Sequence, residues 1–175
     1  MKLRRFVEEV SARMGLTDQR LIDALSAVPR HVFVDQAFRL RVYTDDALPI
    51  GFGQTISKVS TVARMTAALD PRPGDRILEI GTGSGYQAAV LSRLCREVFS
   101  VERIAALAVK AQGTLHRLGA YNVRVRTGDG ALGWPEAAPF DKIIVTAAAA
   151  SLPESLREQL GEGGRLVAPV HGKNG

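Results

Sequence analysis

The chain has 175 residues, one domain's length, and its 46% hydrophobic and 23% charged content is ordinary for a folded globular protein. No apolar run approaches the ~20 residues of a membrane span, and no apolar stretch follows the basic start Met1-Lys2-Leu3-Arg4-Arg5, so neither a membrane segment nor a signal peptide is expected. The +5 formal charge comes from scattered Lys and Arg with few aromatics, which gives no basic stripe for nucleic acid, and the single cysteine, Cys95, excludes an internal disulfide. These features lead to the expectation of a cytoplasmic monomer in which Cys95 is a small buried thiol.

Leu3, Phe6, Val7, Val10 and Met14 recur at helical spacing, with Gly15 as a stop. Leu21, Ile22, Ala24, Leu25 and Val28 mark a second helix that ends at Pro29. Residues 30–57 read as loop-like, with the segment Leu48 to Ser57 irregular because it holds two glycines and a proline. A helix is expected from Thr61 to Leu69. Beyond the turn Pro71-Arg72-Pro73-Gly74-Asp75 the pattern alternates regularly. Strands are expected at Arg76–Ile80, Glu97–Val101, Val123–Thr127, Lys142–Thr146 and Arg165–Val170. Helices are expected at Tyr86–Leu94, from Ile104 to Leu118 with Gly119 as cap, and at Pro153–Leu160. This is the pattern of an α/β protein with a doubly wound, Rossmann-like parallel sheet and an N-terminal helical extension. One domain is expected over 1–175, with 1–70 as a helical, substrate-side region and 71–175 as a ligand-binding α/β core.

The run Ile77-Leu78-Glu79-Ile80-Gly81-Thr82-Gly83-Ser84-Gly85-Tyr86 is a buried strand, an acidic strand end and a glycine turn that opens a helix. Such glycines let the backbone turn sharply and approach a ligand closely. Tyr86 stands where a dinucleotide fold would place its third glycine, so a nicotinamide enzyme is disfavoured. The G-x-G-x-G form behind Glu79 resembles the S-adenosylmethionine site of class I methyltransferases. That resemblance makes Glu79, Gly81, Thr82, Gly83, Ser84 and Gly85 candidate cofactor residues, with Glu79 near the cofactor's ammonium group. Glu102 follows the loop by about 20 residues, the usual place for a ribose-gripping carboxylate. Asp129 in Gly128-Asp129-Gly130 follows the third strand, where an acid can accept the adenine amino group; the competing reading is a turn aspartate before a glycine.

Trp134 reads as a core or loop anchor, His31 as a hydrogen-bonded structural residue and His116 as solvated. No His, Cys and Asp cluster has metal-ligand spacing, and no hydrolase elbow is present. The segment Gly53-Gln54-Thr55-Ile56-Ser57 can reach over the cofactor crevice, but read locally Ser57 or Ser60 more readily caps the following helix.

Taken together, these segments resemble the protein-L-isoaspartate O-methyltransferase family along nearly the whole chain. The resemblance rests on Val28-Pro29-Arg30-His31-Val32-Phe33-Val34, Leu48-Pro49-Ile50-Gly51, Gly53-Gln54-Thr55-Ile56-Ser57, the glycine loop through Ala89, Val101-Glu102-Arg103, Gly128-Asp129-Gly130, Ile143 to Ala148 and Gly163 to Val167. The family carries its active-site serine in the Gln54–Ser57 segment. The resemblance therefore assigns that role to Ser57 and substrate binding to Gln54, Thr55 and Ile56, and places Gly130 beside Asp129 at the cofactor. It implies methyl transfer from S-adenosylmethionine to the free α-carboxylate of isoaspartyl residues in damaged proteins and peptides. Where the family commonly has a small or amide residue and then proline, this chain has Lys58 and Val59.

Two alternatives are a binding-only S-adenosylmethionine domain and a class I methyltransferase with another substrate. The first draws on the C-terminal stretch His171-Gly172-Lys173-Asn174-Gly175, where methyltransferases of this class usually add an antiparallel hairpin. The hairpin is expected to be missing, leaving a sheet edge unpaired.

Overall fold

A computed structural model describes residues 2–147 and 152–169. α1 (Lys2–Met14) turns Phe6, Val7 and Val10 inward, while Arg4–Glu8 and Arg5–Glu9 pair one turn apart on its outer side. α2 (Gln19–Ala27) starts where the Asp18 carboxylate accepts the amides of Arg20 and Leu21. Short 3-10 helices follow at Arg30–Phe33 and Gln36–Arg41.

The segment expected to be irregular contains a small hairpin. β1 (Leu48–Gly51) pairs antiparallel with β2 (Gln54–Ile56). Its turn uses positive φ at Gly51, Phe52 and Gly53, a conformation Phe52 adopts only because the flanking glycines and the pairing fix the turn. α3 (Val59–Leu69) then starts two residues before the expected Thr61. Neither Ser57 nor Ser60 caps it with a side chain. Lys58 occupies the cap position without a side-chain bond, and the Ser60 amide donates instead to Asp45 Oδ1 at 2.9 Å.

Five strands form the central sheet: β3 (Arg76–Ile80), β4 (Glu97–Glu102), β5 (Val123–Thr127), β6 (Phe140–Val145) and β7 (Leu160–Val167). Their order is β5-β4-β3-β6-β7 and every neighbouring pair is parallel. The connections carry α4 (Tyr86–Leu91), α5 (Ala105–Arg117) and α6 (Glu154–Glu158). The chain winds outward from β3 to β5, then returns to the other side of β3 with β6. That reversal places the crevice of an open α/β sheet at the C-terminal ends of β3 and its neighbours.

Alternation along the strands divides the core into two. Ile77, Val98, Val123 and Ile144 face a cluster that also takes Phe6, Leu25 and Val59, so the N-terminal helices and the sheet share one core. Leu78, Ile80, Phe99, Val101, Ile143 and Val145 face the other side and are closed by Phe140 and Leu156. At the β5 edge the guanidinium of Arg124 lies 5.4 Å from the Phe99 ring centre, and that of Arg126 lies 4.6 Å from Trp134. Trp134 in turn packs edge-on against Phe99, the expected loop anchor.

The expected Pro153–Leu160 helix is shorter, at Glu154–Glu158, and the last strand starts five residues before the expected Arg165. A register shift opposite Phe140 lets β7 absorb the glycines at 161, 163 and 164, which read in sequence as a loop. Val170 and the C-terminal stretch His171–Gly175, on which the expectation of a missing hairpin rests, lie outside the described residues. Cys95 is a buried thiol whose pKa burial pushes up to about 12. His31 Nδ1 lies 3.4 Å from the Tyr43 hydroxyl, and His116 is exposed. Among the described residues no helix is long and apolar enough to cross a membrane.

Candidate functional site

The loop after β3 turns on three glycines, with φ of 99° at Gly81, 53° at Gly83 and 88° at Gly85. A side chain at Gly81 would stand 2.8 Å from Thr146 Oγ1 and 3.1 Å from Ala147, so a Cβ there collides with the neighbouring strand end. The loop is tied to β4 at several points. The Gly81 amide donates to Val101 O at 2.9 Å, and the Gly83 amide donates to Glu102 Oε2 at 2.8 Å. The other oxygen of Glu102 accepts the Ile104 amide at 3.0 Å. Each carboxylate oxygen keeps acceptor capacity beyond these bonds.

Two residues expected at the cofactor lie behind the wall instead. Glu79 points into the core beneath the loop, fully buried, where Ser100 Oγ donates to its Oε2 at 2.5 Å. Ser100 Oγ also lies 2.6 Å from Thr82 Oγ1, so a chain of polar atoms runs from Glu79 to the loop. Burial pushes the Glu79 carboxyl up to about 8, with the Glu102 charge adding to the rise and the Ser100 bond opposing it. Glu79 Oε1 has no hydrogen-bond partner among the described residues. Gly85 backs onto α5, where an added Cβ would meet Ala111 at 3.3 Å and Leu115 at 3.4 Å.

The remaining predicted residues converge on one cavity of about 790 Å³. Gly81, Thr82, Gly83 and Ser84 form part of its wall, with Glu102, Asp129 and Gly130 from the adjacent strand ends. Asp129 starts the short 3-10 helix Gly130–Leu132, accepting the Ala131 amide at 2.9 Å with one oxygen, while its side chain is exposed. Asp129 thus closes a turn, as the competing reading has it, and also lies on the cavity wall. Gly130 lies so close to Ile80 that a Cβ would stand 2.5 Å from Ile80 Cγ2. Thr146, at the end of β6, completes this side; its hydroxyl donates to Ile80 O at 2.9 Å and Gly81 O at 2.6 Å.

Gln54, Thr55, Ile56 and Ser57 line the opposite side of the same cavity. β2 places them there: Ile56, paired with Leu48, is buried and anchors the strand, and Ser57 follows at its end. Ser57 Oγ has no hydrogen-bond partner among the described residues. The Ser57 carbonyl is held instead, accepting from Arg30 Nη2 at 2.9 Å.

The model of the Protein-L-isoaspartate(D-aspartate) O-methyltransferase family matches residues 2–175. The chain belongs to this family. A protein-L-isoaspartate O-methyltransferase of Magnetococcus marinus is 55% identical over 159 residues, which cover 91% of this chain and 70% of the relative. One from Syntrophus aciditrophicus is 51% identical, covering 99% of this chain and 79% of the relative. A solved protein-L-isoaspartate O-methyltransferase superposes with a TM-score of 0.87 at 34% identity, covering 95% of this chain and 55% of that one. A Plasmodium falciparum structure described as a protein-L-isoaspartate O-methyltransferase in complex with S-adenosyl-L-homocysteine has a TM-score of 0.83. At 24% identity, covering 98% of this chain and 85% of that one, it shares the fold.

Against the family pattern, Lys58 is exposed and lies off the cavity wall, while Val59 is buried at the first position of α3. Lys58 has φ −54° and ψ 148°, near the polyproline II region. Sequence reasoning overlooked Thr146 and Arg30. Thr146 carried a signal, its position at a strand end on the ligand edge; Arg30 sits in an apolar run and carried none.

Proposed function

We propose that this chain transfers a methyl group from S-adenosylmethionine to the free α-carboxylate of L-isoaspartyl residues in damaged proteins and peptides. The observation that carries the proposal is the meeting of the Gln54–Ser57 segment with the glycine loop, Glu102 and Asp129 around one cavity. The residues fit an adenosyl cofactor: Gly81 and Gly130 keep the walls open where a side chain would collide, and Glu102 stands on the wall with acceptor capacity to spare. Glu102 would hold the ribose hydroxyls, Asp129 the adenine amino group, and Gly81 to Ser84 the backbone contacts. Glu79 would act from beneath, through the polar chain to Thr82.

When bound, S-adenosylmethionine would supply an electrophilic methyl group to the substrate carboxylate, its sulfonium leaving as the neutral thioether S-adenosylhomocysteine. That carboxylate is ionised at neutral pH, so no side chain need remove a proton. The work left to the protein is proximity and alignment. Ser57 Oγ, without a partner within the described residues, donates to one carboxylate oxygen and orients the other toward the methyl group. Gln54, Thr55 and Ile56 line the approach for the peptide. The product ester carries a better leaving group than the free carboxylate: the neighbouring backbone amide nitrogen attacks its carbonyl, methanol leaves, and the resulting succinimide hydrolyses without the enzyme. We place the reaction in the cytosol and treat the protein as a monomer there.

The test is methyl transfer to two peptides that differ only in isoaspartate against aspartate. Methylation of the isoaspartyl peptide alone is the expected result. Equal transfer to both, or to neither while S-adenosylhomocysteine still binds, overturns the proposal.

A further inference from the structure

Arg30 is the largest fully buried side chain among the described residues. It begins the Arg30–Phe33 turn, far in sequence from the cavity, yet its guanidinium reaches three backbone carbonyls, two in the loop before β1 and one just after β2. Nη1 donates to Val42 O, and Nη2 donates to Asp46 O and to Ser57 O, each at 2.9 Å. Nε has no partner, and among the described residues no carboxylate forms an ion pair with this cation. The guanidinium carbon lies 5.9 Å from the ring centre of Tyr86, the residue that opens α4 after the glycine loop and lines the cavity.

A buried cation without an acid partner is costly to desolvate, and an apolar side chain of similar volume would be the cheaper way to fill a core. The planar, rigid fork of arginine is suited to fixing several acceptors in one geometry, which a flexible ammonium does not do. Here the acceptors are two carbonyls of the loop in front of the hairpin and the carbonyl of Ser57 itself. Asp45, next to the Asp46 carbonyl, in turn holds the Ser60 amide at 2.9 Å. The stretch from Ser57 to Ser60 is therefore tied at both ends to the loop that Arg30 gathers.

We propose that Arg30 is a positioning residue for methyl transfer: its bond to the Ser57 carbonyl sets the backbone that aims the Ser57 hydroxyl into the cavity. This rests on the reading of Ser57 as the group that orients the substrate carboxylate. Arg30 touches neither substrate nor cofactor and acts through Ser57.

The experiment compares the full-length protein with Arg30→Lys, Ser57→Ala and the double variant. It reads kcat/KM for an isoaspartyl peptide and the Kd of S-adenosylhomocysteine. Arg30→Lys is expected to lower kcat/KM about tenfold with cofactor Kd within about twofold, and to change kcat/KM less than about twofold in the Ser57→Ala background. A purely structural staple would not show that dependence on Ser57. Equal loss in both backgrounds, or a parallel loss of cofactor affinity, overturns the Arg30 inference and leaves Ser57 standing. Unchanged kcat/KM in Ser57→Ala overturns the Ser57 reading, and this inference with it. Should the buried ammonium prevent folding, Arg30→Gln removes the charge and is read against the same outcomes.

Discussion

The Gly83 amide and the Glu102 carboxylate are joined at 2.8 Å, which locks the glycine loop of β3 to the end of β4. Glu102 thus shapes the loop and faces the cavity at the same time. Glu102→Ala should weaken S-adenosylhomocysteine binding by at least about tenfold, the scale of a lost hydrogen-bonded charged group. Titration calorimetry checks this, and unchanged affinity would remove Glu102 from the cofactor site.

Ser57→Ala should leave cofactor binding within about twofold and lower kcat/KM for the isoaspartyl peptide roughly tenfold to a hundredfold. That range corresponds to about 1.5–3 kcal/mol, typical of a hydrogen bond to a charged partner. Steady-state kinetics at saturating cofactor decide it. Loss of cofactor affinity in step with activity would contradict an orienting role.

Glu79 predicts a pH dependence of stability. Its carboxyl titrates at about 8 in the fold, pushed up mainly by burial. In the unfolded chain it titrates near an ordinary glutamate, about 4.3. Between these values the folded protein holds a proton that the unfolded chain has released. Stability therefore falls as pH rises through that window and levels off above it. Glu79→Gln cannot titrate, so its stability should stay flatter between about pH 5 and about pH 8, the wild-type excess slope amounting to a few kcal/mol in total. Denaturant titrations across that range measure it, and parallel curves would rule out a protonated Glu79.

Two glycines outside the β3 loop should respond oppositely to alanine. A Cβ at Gly130 would stand 2.5 Å from Ile80 Cγ2, whereas one at Gly74 meets nothing within 4 Å. Gly130→Ala should cost about 1–3 kcal/mol, as overpacking does, and Gly74→Ala should be neutral or slightly stabilising. Thermal melts of both variants compare them directly; equal melting temperatures would show that the Asp129–Gly130 turn yields easily.

The α/β core was legible because buried parallel strands and amphipathic helices write strong periodic patterns, and the glycine loop announces a close backbone approach. The hairpin over residues 48–56 was not. Its strands are four and three residues long, and its turn depends on a positive φ at Phe52 that no residue preference signals. β7 was placed too late because its glycines fall in the irregularity between Leu160 and Arg165, where no side-chain alternation marks a strand. Ser57 itself was recognisable only through resemblance, since local patterning favoured a helix cap. Asp45 took that cap from 15 residues away, a tertiary contact invisible to local reading. Glu79 was found by its place in the loop motif, but strand alternation, which turns it away from the cavity and toward Ser100, was the stronger constraint.

The arginines along β5 bear on what kind of molecules this protein can safely meet. Chains that have accumulated damage are often partly unravelled, and extended backbones readily add themselves to the open rim of a sheet, starting aggregates. Arg124 and Arg126 stand two residues apart on that rim, braced by Phe99 and Trp134. Each guanidinium is also paired, Arg124 with Glu97 at 3.1 Å and Arg126 with Glu136 at 2.9 Å, so a docking strand meets long charged side chains already held in place. Braced charged side chains of this kind blunt the β5 rim against strand addition.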